Sequence, residues 1–227
     1  MNAGPHPIFC IPHAGAGASV FRGWQQRAAA PLVALGLPGR EAAHRDPCLR
    51  SIHDMAAHAV ASIRRHGLQA ATLFGHSMGA LVAYEAACRL QQEQPGAVRR
   101  VVVSGCRGPL VAPPLRLSAI ADDDAFMDAV AQMGGMPPET AASEAVWDYL
   151  LPILRADIAA VDGYQSRGEP LRVPLTALGA HDDPFVPPTA VAAWGEVAAA
   201  GFQPLLMSGG HFFVFHHGDA VLALLHL

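Results

Sequence analysis

A chain of 227 residues, 52% apolar and 15% charged, can bury a substantial core, and its length suits one α/β domain carrying an insertion. A formal net charge of −4 with no basic run argues against nucleic acid or an anionic membrane surface as the main partner. The amino terminus, MNAGPHPIFCIP, has neither a basic stretch nor a long apolar run, so no signal peptide and no membrane span are expected. Along the chain, residues 7–11 (PIFCI) read as a buried strand that ends in the small-residue loop Pro12-His13-Ala14-Gly15-Ala16-Gly17-Ala18-Ser19. A helix is predicted over 21–29 and a second strand over 32–35, followed by Leu37-Pro38-Gly39-Arg40-Glu41. Ser51 can cap a helix whose apolar positions Ile52, Met55, Ala59, Val60 and Ile63 recur at helical spacing until Gly67. A third strand is predicted over 71–74, a helix over 80–90 stopped by Pro95-Gly96, and a β-branched fourth strand over 98–104. Strands over 173–178 and 203–207 and a closing helix over 220–225 complete the reading.

Alternating strands and helices predict a mostly parallel sheet flanked by helices. One connection departs from that rhythm, because roughly 68 residues separate the fourth and fifth strands. Within it, 122–133 and 143–161 are predicted to be helical, on either side of Gly134-Gly135-Met136-Pro137-Pro138. Two helical pieces around a Gly/Pro hinge predict a cap, about 108–168, laid over the sheet within one domain spanning 1–227. The four cysteines, Cys10, Cys48, Cys88 and Cys106, are too scattered for a zinc set or a disulfide framework. Reduced, mostly buried thiols in a cytoplasmic protein are expected. The twelve histidines show no metal-binding spacing, so no metal is expected.

Gly75-His76-Ser77-Met78-Gly79 fits G-x-S-x-G between a predicted strand and a predicted helix, the context in which this turn exposes a serine above a sheet. Ser77 is therefore the candidate nucleophile, and it needs a base. His211, in Gly209-Gly210-His211 directly after the last strand, emerges at the same sheet edge. His76 adjoins Ser77, but its side chain must point elsewhere and reads as packing. The orienting carboxylate belongs after the fifth strand, where Leu178-Gly179-Ala180-His181-Asp182-Asp183-Pro184 offers two. Asp183 is favoured because Asp-Pro-Phe-Val-Pro resembles the D-x-x-V-P pattern after the acid of many α/β hydrolases; counting from Gly179 points to Asp182 instead. The chain order Ser, Asp, His is that of the α/β-hydrolase fold. Met78 N–H and Ala14 N–H are the candidate oxyanion-hole donors, one opening a helix and the other in the loop after the first strand.

The motifs Pro12-His13-Ala14-Gly15, Leu37-Pro38-Gly39-Arg40-Glu41, Gly75-His76-Ser77-Met78-Gly79-Ala80, Ser104-Gly105, Gly134-Gly135-Met136-Pro137 and Gly209-Gly210-His211-Phe212-Phe213 occur in one order along nearly the whole chain. In this the sequence resembles the type II thioesterases associated with nonribosomal peptide and polyketide synthesis. The resemblance implies an α/β-hydrolase fold with a helical cap, and places the nucleophile on Ser77, the acid on Asp183, the base on His211 and the oxyanion donors on Met78 and Ala14. It further implies hydrolysis of acyl groups from the phosphopantetheine thiol of acyl or peptidyl carrier proteins, with no cofactor beyond the phosphopantetheine of the substrate. Ala14-Gly15-Ala16 replaces the usual Ala-Gly-Gly, and Gly105-Cys106-Arg107-Gly108-Pro109 stands where an Arg-x-Pro pattern is usual; both bear on the pocket rim, not the triad. Met127, Met133, Met136, Trp147 and Leu151 are candidates to line an acyl pocket in the cap. The chain starts just before the first strand and carries no carrier-protein segment, so a free-standing enzyme is expected, with a monomer as the default. A general carboxylesterase, a cyclising thioesterase and a silent hydrolase-fold binding partner are the competing readings.

Overall fold

The computed structural model describes residues 6–67, 70–113, 116–134 and 143–227. The strands β1 (Ile8–Ile11), β2 (Leu32–Ala34), β3 (Ala71–His76), β4 (Val98–Ser104), β5 (Leu175–Ala180) and β6 (Phe202–Met207) form one sheet in the order β2-β1-β3-β4-β5-β6. Every pairing in it is parallel. Parallel strands are buried on both faces, which is why β1 reads as a continuous apolar run and every residue of β3 is buried.

Successive side chains still divide between two cores. Phe9, Ile11, Leu73, Val101 and Val103 join the core on one face, with residues of α2 (Ile52–Arg65) and α3 (Met78–Glu93). Ile8, Cys10, Phe74 and Val102 join the other, with Phe21, Trp24, and Val221, Leu222 and Leu225 of the closing helix at Gly218–Leu225. Ser51 caps α2 by accepting a hydrogen bond from the Asp54 amide at 3.1 Å.

Several element limits differ from the sequence reading for identifiable reasons. The helix expected over 21–29 is a 3₁₀ turn, Ala18–Phe21, followed by α1, Arg22–Gln25. Pro31 disfavours helical backbone just before it, and the Trp24 carbonyl takes both the Arg27 and Ala28 amides as the turn closes. β5 begins after Pro174, which has no N–H for the ladder, and runs on to Ala180 because Gly179 and Ala180 pair with Leu206 and Met207. β3 extends through His76 and α3 starts at Met78, so only Ser77 lies between strand and helix.

The long β4–β5 connection contains α4 (Asp123–Ala131) and α5 (Glu144–Asp162). The Gly134 to Pro138 hinge falls almost wholly outside the described residues. Phe126 and Met127 of α4 pack with Leu154 and Ile158 of α5 into a third apolar cluster, against which Ala14 of the β1 loop also rests. The insertion therefore meets the sheet where the β1 loop emerges. Among the described residues, no helix is long and apolar enough to cross a membrane.

Candidate active site

Ser77 sits at φ 53° and ψ −118°, backbone angles that L-residues avoid. The strain is imposed by a one-residue turn, held by the Ser77 amide on the Ser104 carbonyl at 2.8 Å. The flanking glycines are needed for space rather than flexibility. A Cβ on Gly75 would lie 2.0 Å from the Gly79 carbonyl oxygen, and one on Gly79 would lie 2.3 Å from that of Ile11. Only hydrogen at both positions lets the helix start directly over the strands.

His211 follows β6 in a loop turned by Gly209 at φ 106° and closed by the Phe213 amide on the Gly210 carbonyl. Its Nε2 lies 3.1 Å from Ser77 Oγ, and its Nδ1 lies 2.7 Å from Asp183 Oδ2. An ionised carboxylate can only accept, so Nδ1 carries the proton and Nε2 is free to accept from the serine hydroxyl. The other Asp183 oxygen accepts the Phe185 and Val186 amides at 2.9 and 3.2 Å. Both the His211 and Asp183 side chains are buried, which shields the pair from competing water. Asp182, the alternative acid, points away: its carboxylate takes the Gly209 amide at 3.4 Å, bracing the histidine loop. The structure thus brings Ser77, His211 and Asp183 together and leaves Asp182 outside.

His76 lies beneath the group, fully buried, with Nδ1 2.7 Å from Ser104 Oγ and its ring 5.3 Å from that of His211. Burial, reinforced by the nearby His211 and His13, pushes its pKa well below the usual histidine value. Burial likewise lowers His13 to about 3, with His211 and Arg40 contributing. Both rings are neutral near pH 7, so neither adds a fixed positive charge beside His211. Ser104-Gly105 has its own reason here: the serine holds His76, and a Cβ on Gly105 would lie 2.6 Å from the His76 ring.

The serine opens into a cavity of about 920 Å³ whose wall includes Ala14, Met78, His211 and Phe185. Met78 is the first residue of α3, so its amide has no intrahelical acceptor. Ala14 lies next to Gly15, whose amide is taken by Asp157 Oδ2 at 2.8 Å. Of the residues expected to line an acyl pocket, Met133 does so, together with Leu150, Leu154 and Ile158 of α5. Those three form an i, i+4, i+8 stripe on one helix face. Met127, Trp147 and Leu151 are in the insertion's apolar cluster but not in the cavity wall, and Met136 lies outside the described residues.

Two further residues complete the surroundings. Arg40 is 2% exposed, and its guanidinium grips Asp157 of α5 through both nitrogens, at 2.6 and 2.8 Å. The adjacent Glu41 accepts the Ala18 and Ser19 amides at 2.9 and 3.1 Å. The Pro38-Gly39-Arg40-Glu41 segment is thus a clamp on the β1 loop. Sequence analysis missed Asp157, because a single aspartate on a helix has no local signature. Among the described residues, no cluster of three or more His, Cys, Asp or Glu side chains is arranged to hold a metal.

Thioesterase PikA5 of Streptomyces venezuelae is 34% identical over 213 residues, which span 91% of this chain and 75% of the relative. RedJ, a thioesterase from the prodiginine biosynthetic pathway of Streptomyces coelicolor, superposes with a TM-score of 0.91 at 33% identity, covering 99% of this chain and 90% of its own. YbtT, a type II thioesterase from the yersiniabactin NRPS/PKS biosynthetic pathway, gives 0.88 at 30% identity, covering 99% and 92%. The thioesterase domain model matches residues 6–226, and the chain belongs to that family of α/β-hydrolase-fold enzymes.

Proposed function

We propose that this chain is a type II thioesterase that hydrolyses acyl thioesters from the phosphopantetheine arm of carrier proteins in nonribosomal peptide or polyketide biosynthesis. The observation that carries the reading is the Ser77–His211–Asp183 relay, with links of 3.1 and 2.7 Å, opening into a cavity walled by α5. The pathway assignment rests on similarity to YbtT, named for an NRPS/PKS pathway, and to RedJ, named for the prodiginine biosynthetic pathway. The unit is residues 1–227, with the insertion at about 108–168 acting as a cap over the site.

Ser77 Oγ attacks the thioester carbonyl while His211 Nε2 takes its proton. The carbonyl oxygen becomes negative and is held by the Met78 and Ala14 amides. Collapse of the tetrahedral intermediate breaks the C–S bond, and His211 returns its proton to the departing thiolate. A water molecule, deprotonated by His211, then attacks the acyl-enzyme; the acyl C–Oγ bond breaks, the acid is released and His211 returns the proton to Ser77 Oγ. Asp183 keeps His211 in the required tautomer and stabilises its imidazolium through both half-reactions. No step calls for a cofactor; the phosphopantetheine belongs to the substrate. The partners are acyl or peptidyl carrier proteins, and the enzyme works as a cytoplasmic monomer.

The test is hydrolysis of a panel of acyl groups loaded on carrier proteins, read by intact mass, with Ser77→Ala in parallel. The parent clears the acyl groups. The variant forms no acyl-enzyme, leaves the carrier loaded and keeps the parent circular dichroism. Faster turnover of short oxygen esters than of acyl-carrier thioesters by the parent would refute the thioesterase assignment.

A further inference from the structure

Asp157 stands at a junction between the candidate oxyanion loop and the cavity wall. Its Oδ2 accepts both the Gly15 amide at 2.8 Å and Arg40 Nη1 at 2.6 Å, and Arg40 Nη1 also donates to the Ala16 carbonyl at 3.2 Å. The loop is thereby held on both sides of Gly15, one residue from Ala14. On α5, Asp157 lies between Leu154 and Ile158, and both of these face the cavity. Leu154 also touches the loop directly, since a Cβ on Gly15 would lie 2.6 Å from Leu154 Cδ2. One turn of helix therefore carries the cavity wall and the fastening of the loop together.

The pair is costly to maintain. Both side chains are almost completely buried, and Arg40 Nε is buried with no hydrogen-bond partner among the described residues. Replacing a buried ion pair by apolar side chains of similar volume is often neutral or stabilising, so stability alone is a weak reason for it. Precision is a better one, because oxyanion donors act only when held within about 0.5 Å of the productive geometry.

We propose that Arg40 and Asp157 are a positioning pair that ties the Ala14 loop to the acyl-facing wall of α5, so that the fit of the acyl chain is expressed in the rate of acyl transfer to Ser77. This rests on the thioesterase reading of the site. A chain that seats well against Leu154 and Ile158 keeps Asp157, and with it the Gly15 amide and Ala14, in register with Met78. A chain that displaces the helix carries the loop with it and weakens the hole.

The experiment uses alkyl fluorophosphonates of graded alkyl length, from ethyl to octyl. Ser77 Oγ forms the new bond to phosphorus, fluoride leaves, and the serine proton passes to His211, so the rate reads the oxyanion hole without a thioester. The parent is compared with an Arg40→Met/Asp157→Leu double variant and with Arg40→Lys. The double variant removes the charges without leaving one buried alone, and the lysine keeps the charge but loses the two-pronged grip. Both variants are expected to melt as cooperatively as the parent and to be phosphonylated about tenfold or more slowly, with the dependence on alkyl length flattened. Three results would overturn the inference: variants labelled at the parent rate, slower variants that keep the parent's length dependence, or a parent rate indifferent to length. Hydrolysis of acyl-pantetheine by the parent, measured separately, tests the thioesterase reading. A parent that is labelled with length dependence but spares thioesters sinks that reading alone.

Discussion

Replacing Asp183 by asparagine changes one atom of the proposed triad, and the structure says which way the new amide must face. The Oδ1 position of Asp183 accepts the Phe185 and Val186 amides, so the asparagine oxygen stays there; the reverse orientation would set its NH₂ against two N–H donors. The NH₂ then occupies the Oδ2 position, 2.7 Å from His211 Nδ1, and donates to it. His211 is driven to carry its proton on Nε2, the nitrogen 3.1 Å from Ser77 Oγ that must be free to act as a base. Locking a triad histidine in the wrong tautomer costs about 10⁴-fold in kcat, roughly 5.5 kcal/mol of transition-state stabilisation. Asp182→Asn is the control. Its contact with the Gly209 amide is a long 3.4 Å, and asparagine still supplies an acceptor, so kcat should stay within about threefold of the parent. Single-turnover hydrolysis of acyl-carrier thioesters, quenched and read by intact mass, measures both variants. An Asp183→Asn enzyme retaining more than about a tenth of the parent rate, or an Asp182→Asn enzyme that is the more damaged, would refute the tautomer argument.

Two stability predictions follow from the same core. Ser77 holds a backbone conformation that costs about 1–3 kcal/mol for an L-residue, and alanine inherits that cost whereas glycine escapes it. Ser77→Gly should therefore exceed Ser77→Ala in urea-unfolding stability by about 1 kcal/mol, and equal midpoints would show that the turn is unstrained. His76 is neutral when folded, because burial depresses its pKa well below the value it recovers on unfolding. The unfolded state then binds the extra proton, so this stability is present above the unfolded pKa and lost as pH falls below it. His76→Phe should flatten the decline between about pH 6 and pH 5 by about 1.2 kcal/mol; an unchanged slope would mean that His76 protonates in the folded protein.

The parallel sheet was legible because its strands are short apolar runs punctuated by glycine and proline. Val98–Ser104 needed no correction, since VRRVVVS is bounded by Pro95-Gly96 before and Gly105 after. Errors arose where tertiary pairing decides an element's end. Gly179 and Ala180 are weak strand formers on their own, and they extend β5 only because β6 lies beside them. The same holds for Gly75 and His76, which read as loop in sequence and are strand residues paired with Val103 and Ser104. The motif is in fact the end of one strand, a single strained residue and the start of a helix, which is a sharper statement than the pattern alone could make.

The candidate site was legible in a different way, through chain order. Ser77, Asp183 and His211 each follow a strand of one parallel sheet, so topology alone delivers them to one edge, where Asp183 rather than Asp182 is the carboxylate in contact with the ring. What chain order cannot supply is contact across the insertion. Arg40 was visible as part of a motif, but its partner Asp157 lies 117 residues away on a helix with no distinguishing pattern. The pocket lining slipped for a related reason. Helical spacing marks Trp147 and Leu151 as one stripe and Leu150, Leu154 and Ile158 as the next, and only the position of α5 against Gly15 determines which stripe meets the cavity. The Arg40–Asp157 pair helps to hold that position, together with the Glu41 amide on the Tyr149 hydroxyl at 3.1 Å. The pair that helps to seat the pocket wall is therefore the same one that fastens the loop beside Ser77, and a change in either partner should disturb acyl selectivity and rate together.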